Sequence, residues 1–245
     1  MTRPAHQAEN FCRLIEDAGG TAIRFPVITI KAIENSPTQN QQLATIDQYD
    51  IVIFVSTNAV QYALPHWPNG LPVSLMVAAV GNKTAANLRA HGITVDVLPK
   101  QGFNTESLLE SPLLHSVEGK QIAIIRGIGG RTLLADTLRQ RGAKVTYIEV
   151  YQRVLPKQRL CSVNIDLNCD IITVTSQQGL RNLITLSDDK DWLFSTALAS
   201  NSQRTAKLAR ELGFTYDIVV SPEPSDDAMV TTIASWWQNK ARPQA

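Results

Sequence analysis

Apolar residues in this chain fall into short, nearly continuous runs. Residues 121–125, 145–148, 51–55, 77–80, 95–98, 171–175 and 218–220 are such runs, most of them rich in β-branched side chains. Runs of this kind fit strands of a parallel sheet that is covered on both faces. Between them the spacing becomes helical. Residues 132–141 carry Leu133, Leu134 and Leu138 and stop at Gly142; residues 84–90 are followed by Gly92, and 204–212 by Gly213. Glycine just past the last helical residue is a stop signal. Strand, helix, glycine, strand, repeated along the chain, predicts an α/β architecture with parallel sheets.

The pattern occurs twice. Tyr49-Asp50-Ile51-Val52-Ile53-Phe54-Val55-Ser56 resembles Cys169-Asp170-Ile171-Ile172-Thr173-Val174-Thr175-Ser176 at an offset of 120 residues. Gly81-Asn82-Lys83-Thr84-Ala85 resembles Ser202-Gln203-Arg204-Thr205-Ala206, and Gly92 matches Gly213, at 121. Thr2-Arg3-Pro4 resembles Ile125-Arg126-Gly127, and Gly19 matches Gly142, at 123. Ordered matches at a nearly constant offset indicate two copies of one unit. Two stretches break the rhythm: 28–45, rich in Asn, Gln, Ser and Pro, and 152–168, with Pro156 and little periodicity. As connectors, they would let the chain cross twice between domains. One domain would be roughly 34–152, the other the N-terminal segment with the C-terminal third.

Composition narrows the function. The length of 245 residues favours two small domains. Lys plus Arg is 23 against 22 for Asp plus Glu, a net charge of +1, which argues against a nucleic-acid binder working by bulk charge. An anionic ligand would have to be held by local donors. No apolar run approaches the roughly 20 residues of a membrane span, and Met1-Thr2-Arg3-Pro4 has no signal-peptide core, so a cytoplasmic protein is expected. Cys12, Cys161 and Cys169, an odd number without a close pair, suit reduced thiols better than disulfides or zinc.

Ligands of α/β folds bind at strand C-termini. Here these ends carry small or hydroxylated residues ahead of a helix: Thr2-Arg3-Pro4, Ser56-Thr57-Asn58, Gly81-Asn82-Lys83-Thr84, Gly127-Ile128-Gly129-Gly130-Arg131, Thr175-Ser176-Gln177 and Ser200-Asn201-Ser202. Each could be ordinary helix capping. As a set, with Arg3, Lys83, Arg126 and Arg131 close by, they suit anion binding through helix N–H groups and hydroxyls. Gly127-x-Gly129-Gly130 falls short of a dinucleotide fingerprint because Thr132 stands where a third glycine is needed, and Ala78 breaks a P-loop ahead of Lys83. His6, His66, His91 and His115 show no ligand spacing and suit surface or loop positions; the Trp236-Trp237 pair suits packing. Tyr151, where the last strand of the repeat enters a connector, could be packing or could donate a hydrogen bond to a leaving group.

These residues carry a family pattern. Ile124-Ile125-Arg126-Gly127-Ile128-Gly129-Gly130-Arg131, then Leu134 and Leu138, Gly142-Ala143, and Glu149-Val150-Tyr151-Gln152-Arg153 resemble the uroporphyrinogen-III synthase family. Thr2-Arg3-Pro4, Phe54–Val60, Val80–Ala85, Val174-Thr175-Ser176 and Ser202–Ala206 extend the resemblance over nearly the whole chain, in the family's order. It implies two doubly wound parallel-sheet α/β domains, flavodoxin- or Rossmann-like, joined by a two-stranded connector. Residues 1–30 and 156–245 would form one domain, 34–152 the other, and 28–34 with 151–157 the connecting strands.

The implied reaction is cyclisation of hydroxymethylbilane, a linear tetrapyrrole with eight carboxylates, with inversion of ring D, to uroporphyrinogen III. No metal or organic cofactor, nucleic acid or membrane partner is implied. Tyr151 matches the family's tyrosine that assists departure of the hydroxyl. Ser56, Thr84, Ser176 and Ser202 match hydroxyl positions facing the cleft. Arg3, Thr57, Lys83, Arg126, Gly127, Gly129 and Gly130 complete the expected substrate-binding set. Family members usually carry a few apolar residues before Thr-Arg-Pro, whereas only Met1 precedes Thr2 here, so either a short first strand or a start site placed late is expected. A monomer is expected, since no patterned apolar surface argues for a dimer. The competing reading is a cytoplasmic two-lobed sensor that binds a small anion without catalysis; Tyr151 in its Val-Tyr-Gln-Arg context favours the synthase.

Overall fold

The chain folds as a mixed α/β protein with parallel sheets, and the computed structural model describes residues 1–33, 36–102, 104–160 and 169–241. The strands are β1 (Thr29–Ala32), β2 (Ile51–Phe54), β3 (Met76–Ala79), β4 (Gln121–Gly127), β5 (Lys144–Val154), β6 (Ile171–Val174), β7 (Ala197–Ser200) and β8 (Ile218–Val220). The α-helices are α1 (Glu9–Asp17), α2 (Pro37–Ala44), α3 (Thr57–Ala63), α4 (Asn82–Ala90), α5 (Thr105–Leu109), α6 (Leu133–Gln140), α7 (Gln177–Leu186), α8 (Lys190–Ser195), α9 (Gln203–Glu211) and α10 (Asp226–Ala241). The chain divides into two compact units: a discontinuous one, Met1–Thr29 with Val154–Ala245, and a central one, Ile30–Arg153.

The central unit is built on a five-stranded sheet in the order β1-β5-β4-β2-β3. Strands β5, β4, β2 and β3 run parallel, with Ile51 paired to Met76 and to Ile122. Side chains alternate between two covered faces. Val52, Phe54, Val77 and Ile125 pack with Ala59, Val60, Ala63 and Leu88 of α3 and α4. Ile51, Ile53, Ile122 and Ile124 pack on the opposite face with Leu108, Leu134 and Leu138 of α5 and α6. This double burial explains the continuous apolar runs, each fully buried Leu or Ile contributing roughly 1.5–3 kcal/mol. Asp50 fixes the register at the start of β2, its carboxylate accepting from Gln121 N at 2.8 Å and Lys120 Nζ at 2.9 Å.

The discontinuous unit has a three-stranded parallel sheet, β6-β7-β8. Leu180 and Leu183 of α7, Leu193 of α8 and Leu208 of α9 pack with Val174 and Leu198. Phe11 of α1 and Met229 of α10 pack with Ala199. The N-terminal segment follows the duplicated scheme without forming a full strand. The Met1 amine donates to Ile23 O at 2.8 Å and Phe25 N donates to Met1 O at 2.8 Å, the bonding of a parallel ladder. Thr2 Oγ1 donates to Thr173 O of β6 at 2.6 Å.

Several sequence expectations need correction. The stretch 28–45 is more than a connector, since it holds β1 and α2. Ser36 caps α2 by accepting from Gln39 N, Pro37 stands at its first turn, and Leu43 is its buried apolar anchor. The Asn- and Gln-rich composition hides this helix. The run 95–98 makes a single bridge, Val97 to Ala78, rather than a strand. The Asp96 carboxylate takes Val77 N at 2.8 Å, which uses a ladder donor. Strand β7 escapes the sequence pattern because Ala-Leu-Ala-Ser has little β propensity, although all four residues are buried. Of the tryptophan pair, Trp236 is packed and donates to Asp217 Oδ2 at 2.8 Å, whereas Trp237 is 48% exposed. The second connector stretch, 152–168, falls partly outside the described residues, Cys161 included.

Candidate active site

The connections of the central sheet create a place for chemistry. After β2 the chain passes through α3 on one face, and after β4 through α6 on the other. Strands β2 and β4 are neighbours. Their C-terminal ends therefore lie where the connections diverge, the position at which open α/β sheets bind ligands.

Three residues meet there. Ser56, just past β2, caps α3 by accepting from Ala59 N at 3.1 Å. Gly127 ends β4. Tyr151 comes from β5, which is paired with β4 so that Gly127 stands opposite Tyr151 after a register shift. The tyrosine ring lies across Gly127: a Cβ at 127 would stand 2.5 Å from Tyr151 Cε2 and 2.6 Å from Cζ. Only glycine permits that approach. The ring thereby reaches Ser56, with Tyr151 Oη 3.1 Å from Ser56 Oγ. Tyr62 stacks on it at 6.0 Å between centroids, its own hydroxyl donating to Ile30 O at 3.0 Å. Arg153 Nη2 donates to Tyr151 Oη at 3.2 Å. Tyr151 is 1% exposed, part of the core of its unit rather than a free side chain in a connector.

The other expected residues are placed as follows. Thr57 opens α3 behind Ser56. Lys83 is exposed and Thr84 buried in the first turn of α4, which follows β3 on the same sheet edge. Arg126 is buried; its Nε donates to Gly127 O at 3.2 Å, its Nη1 to Arg131 O at 3.3 Å, and its guanidinium stacks 4.5 Å from the Tyr147 centroid. Gly129 and Gly130 have φ of 73° and 98°. A Cβ at Gly130 would press on Arg126 Nη2 at 2.9 Å. Arg131 is paired with Glu106, which holds that carboxyl below its ordinary value. Among the described residues Lys83, Arg126 and Arg153 have no carboxylate partner, whereas Arg131 and Arg3 are paired with Glu106 and Asp226.

In the discontinuous unit, Ser176 caps α7 by accepting from Gly179 N at 3.0 Å, and Ser202 caps α9 by accepting from Thr205 N at 3.2 Å. Arg3 is salt-bridged to Asp226 and lies over the Phe11 ring. Sequence reasoning singles out Tyr151 but neither Arg153 nor Tyr62. The strand period of two is the available signal for Arg153, since it puts residues 151 and 153 on one face of β5.

The class is thus an α/β protein whose central parallel sheet ends in a hydroxyl-rich, locally cationic edge. Comparison with known proteins resolves it. The family described as "Uroporphyrinogen-III synthase HemD" matches residues 9–231. The uroporphyrinogen-III synthase of Escherichia coli (strain K12) is 32% identical over 253 residues, covering 95% of this chain and 98% of the relative. That of Salmonella typhimurium is 33% identical over 251 residues, with 95% and 98% covered. A crystal structure of a mutant uroporphyrinogen III synthase from Thermus thermophilus superposes with a TM-score of 0.62 at 20% identity, covering 98% of this chain and 100% of that one. The structure from Helicobacter pylori gives 0.60 at 18%, covering 89% and 92%. At those identities the structures speak for the fold alone. This chain belongs to the uroporphyrinogen-III synthase family.

Proposed function

We propose that this chain carries out its family's reaction, closing hydroxymethylbilane with inversion of ring D to give uroporphyrinogen III and water, in the tetrapyrrole biosynthesis that leads to haem and sirohaem. The observation that carries this is the family match over residues 9–231, taken with the Tyr151–Ser56 pair at the divergence of β2 and β4. In the reaction the hydroxyl leaves with a proton as water. The resulting azafulvene is attacked by the substituted carbon of ring D, and a spiro intermediate rearranges to the inverted ring. Departure of the hydroxyl calls for a hydrogen-bond donor at its oxygen. Most of what remains is holding a flexible chain in one reactive geometry.

The carboxylates of the substrate fit Lys83, Arg126 and the N–H groups opening α3 and α4, with Thr57, Thr84 and the 127–130 loop shaping the edge. Ser176 and Ser202 offer corresponding caps in the discontinuous unit, where Arg3 is committed to Asp226. We further take the units as two doubly wound domains, 1–30 with 156–245 and 34–152, joined by connecting strands 28–34 and 151–157. The protein is taken to work as a cytoplasmic monomer; no helix among the described residues is long and apolar enough to cross a membrane.

The test is the product isomer formed when purified protein is added to hydroxymethylbilane. The symmetric type I ring forms spontaneously, and added protein is expected to divert the flux to type III. Type I alone at high protein concentration would leave the anion-sensor reading in its place.

A further inference from the structure

The neighbours of Tyr151 decide which hydroxyl at this site has a proton to give, and that decision rests on the synthase reading above. Arg153 Nη2 stands 3.2 Å from Tyr151 Oη, and a guanidinium can only donate. The phenol oxygen therefore accepts from Arg153, and its own proton must find another acceptor. Tyr151 is 1% exposed, and the large majority of buried side-chain polar groups are hydrogen-bonded. Among the described residues the acceptor within reach is Ser56 Oγ, at 3.1 Å. That oxygen also accepts from Ala59 N at 3.1 Å as the cap of α3. A serine hydroxyl has two lone pairs and one proton. With Ala59 and Tyr151 filling the lone pairs, the Ser56 proton is left without an acceptor among the described residues. Ser56 is half-buried, on the sheet edge where β2 and β4 diverge.

We propose that Ser56, rather than Tyr151, presents the proton to the departing hydroxyl, and that Tyr151 and Arg153 are positioning residues that set its direction. As the C–O bond breaks, the leaving oxygen keeps the bonding electron pair, takes the Ser56 proton and departs as water. Ser56 takes the Tyr151 proton in turn, and the guanidinium of Arg153 faces the charge left on the phenol oxygen. The proton that ring D releases on ring closure restores the chain of donors. Tyr62 and Gly127 serve this by fixing the plane and reach of the Tyr151 ring.

Single and double variants, followed by kcat, KM and product isomer ratio, test the order of the relay. Glycine is nearly as good a helix cap as serine, so Ser56→Gly removes the hydroxyl and spares α3. It is expected to lower kcat for type III about 100-fold, the lower end for general acid catalysis, with KM nearly unchanged. Ser56→Thr, which keeps the hydroxyl, should recover most of that loss. Tyr151→Phe and Arg153→Leu should each lower kcat about tenfold, below that range because the proton donor itself stays in place. Arg153→Lys, still a donor, should restore most of what Arg153→Leu loses. In the Ser56→Gly background neither Tyr151→Phe nor Arg153→Leu should reduce kcat further, because residues acting through one group are not additive. Full kcat in Ser56→Gly would overturn the relay. So would a Tyr151→Phe effect undiminished in that background, which would mean the phenol acts on substrate directly. Failure of the synthase reading looks different: the unaltered protein would then yield type I alone.

Discussion

The two units show the same strand ends put to different use. Ser56 and Ser176, 120 residues apart, cap their helices by accepting from Ala59 N and Gly179 N. The ladders they follow correspond, Ile51 pairing with Met76 and Ile171 with Ala197. Beyond the caps the copies part. At an offset of 123, Gly127 corresponds to Pro4, Tyr151 to Ile28 and Arg126 to Arg3. Where the central unit lays a tyrosine over a glycine, the discontinuous unit has a proline at φ −50°, and a partly buried isoleucine packed against its core. Where the central unit keeps Arg126 without an acid partner, the other neutralises Arg3 with Asp226, both side chains 14% exposed. Duplication has kept the backbone devices, caps and ladders, while the side chains at the strand ends diverged. The hydroxyl pair suited to chemistry is found in the central copy.

Filling the space at Gly127 should break this contrast most severely. Gly127→Ala puts a Cβ where Tyr151 Cε2 is 2.5 Å away, between a strand and a buried ring that cannot simply swing aside. Overpacking of this kind typically costs about 1–3 kcal/mol. The displaced ring would also lose Ser56, so kcat should fall at least as far as in Tyr151→Phe. Thermal unfolding and steady-state kinetics check both. The stability loss should shrink in a Tyr151→Leu background, where the contacting ring is gone. An unchanged melting temperature and kcat in Gly127→Ala would show that the ring has other room. Pro4→Ala, at the corresponding position, should shift the melting temperature far less.

The paired caps sharpen the comparison at smaller amplitude. Ser56→Ala and Ser176→Ala each remove the acceptor of one helix-opening N–H, worth typically ~1 kcal/mol. The stability losses should be alike and the kinetic ones unlike: a fall in kcat for Ser56→Ala, a rise in KM for Ser176→Ala, with some type I product as the substrate is held less firmly. Equal kinetic profiles for the two would argue that both copies do the same work.

Much of this framework is legible in the sequence, and the failures have physical reasons. Strand β8 lies where its apolar run puts it, and the helix stops at Gly92 and Gly213 match φ of 75° and 110°. These are local signals, carried by a few adjacent residues. Strand β7 carries no such signal, yet the 121-residue offset from β3 points to it. Tyr151 stands out in the sequence, but its depth and its partners depend on a register shift at Arg126/Gly127 that no single-strand pattern encodes. Likewise Arg131 looks available for an anion until Glu106, 25 residues away, proves to hold it. Local periodicity finds elements; which donor meets which acceptor is decided by register between distant segments.

The smallest effect concerns the aspartates that precede β2 and β6. Asp50 accepts from Lys120 Nζ and Gln121 N, and the lysine contact foremost, then the backbone bond, lowers its pKa below the ordinary carboxylate value. Asp170, its counterpart at an offset of 120, is exposed, with no hydrogen bond or ion pair to its side chain among the described residues. A carboxyl whose folded pKa is depressed releases its proton more readily in the folded state than in the unfolded one. Its contribution is therefore complete above the unfolded value of about 3.9 and is lost as the pH falls through the lower folded value. The Asp50 side chain is 38% exposed, so solvent screening keeps the amount below about 1 kcal/mol. Asp50→Asn should thus lower the melting temperature slightly at pH 7, and the gap to the unaltered protein should close toward pH 3. Asp170→Asn should show neither the loss nor its pH dependence. A gap for Asp50→Asn that persists unchanged to pH 3 would mean that the β2–β4 register is held by shape at residue 50 rather than by its charge.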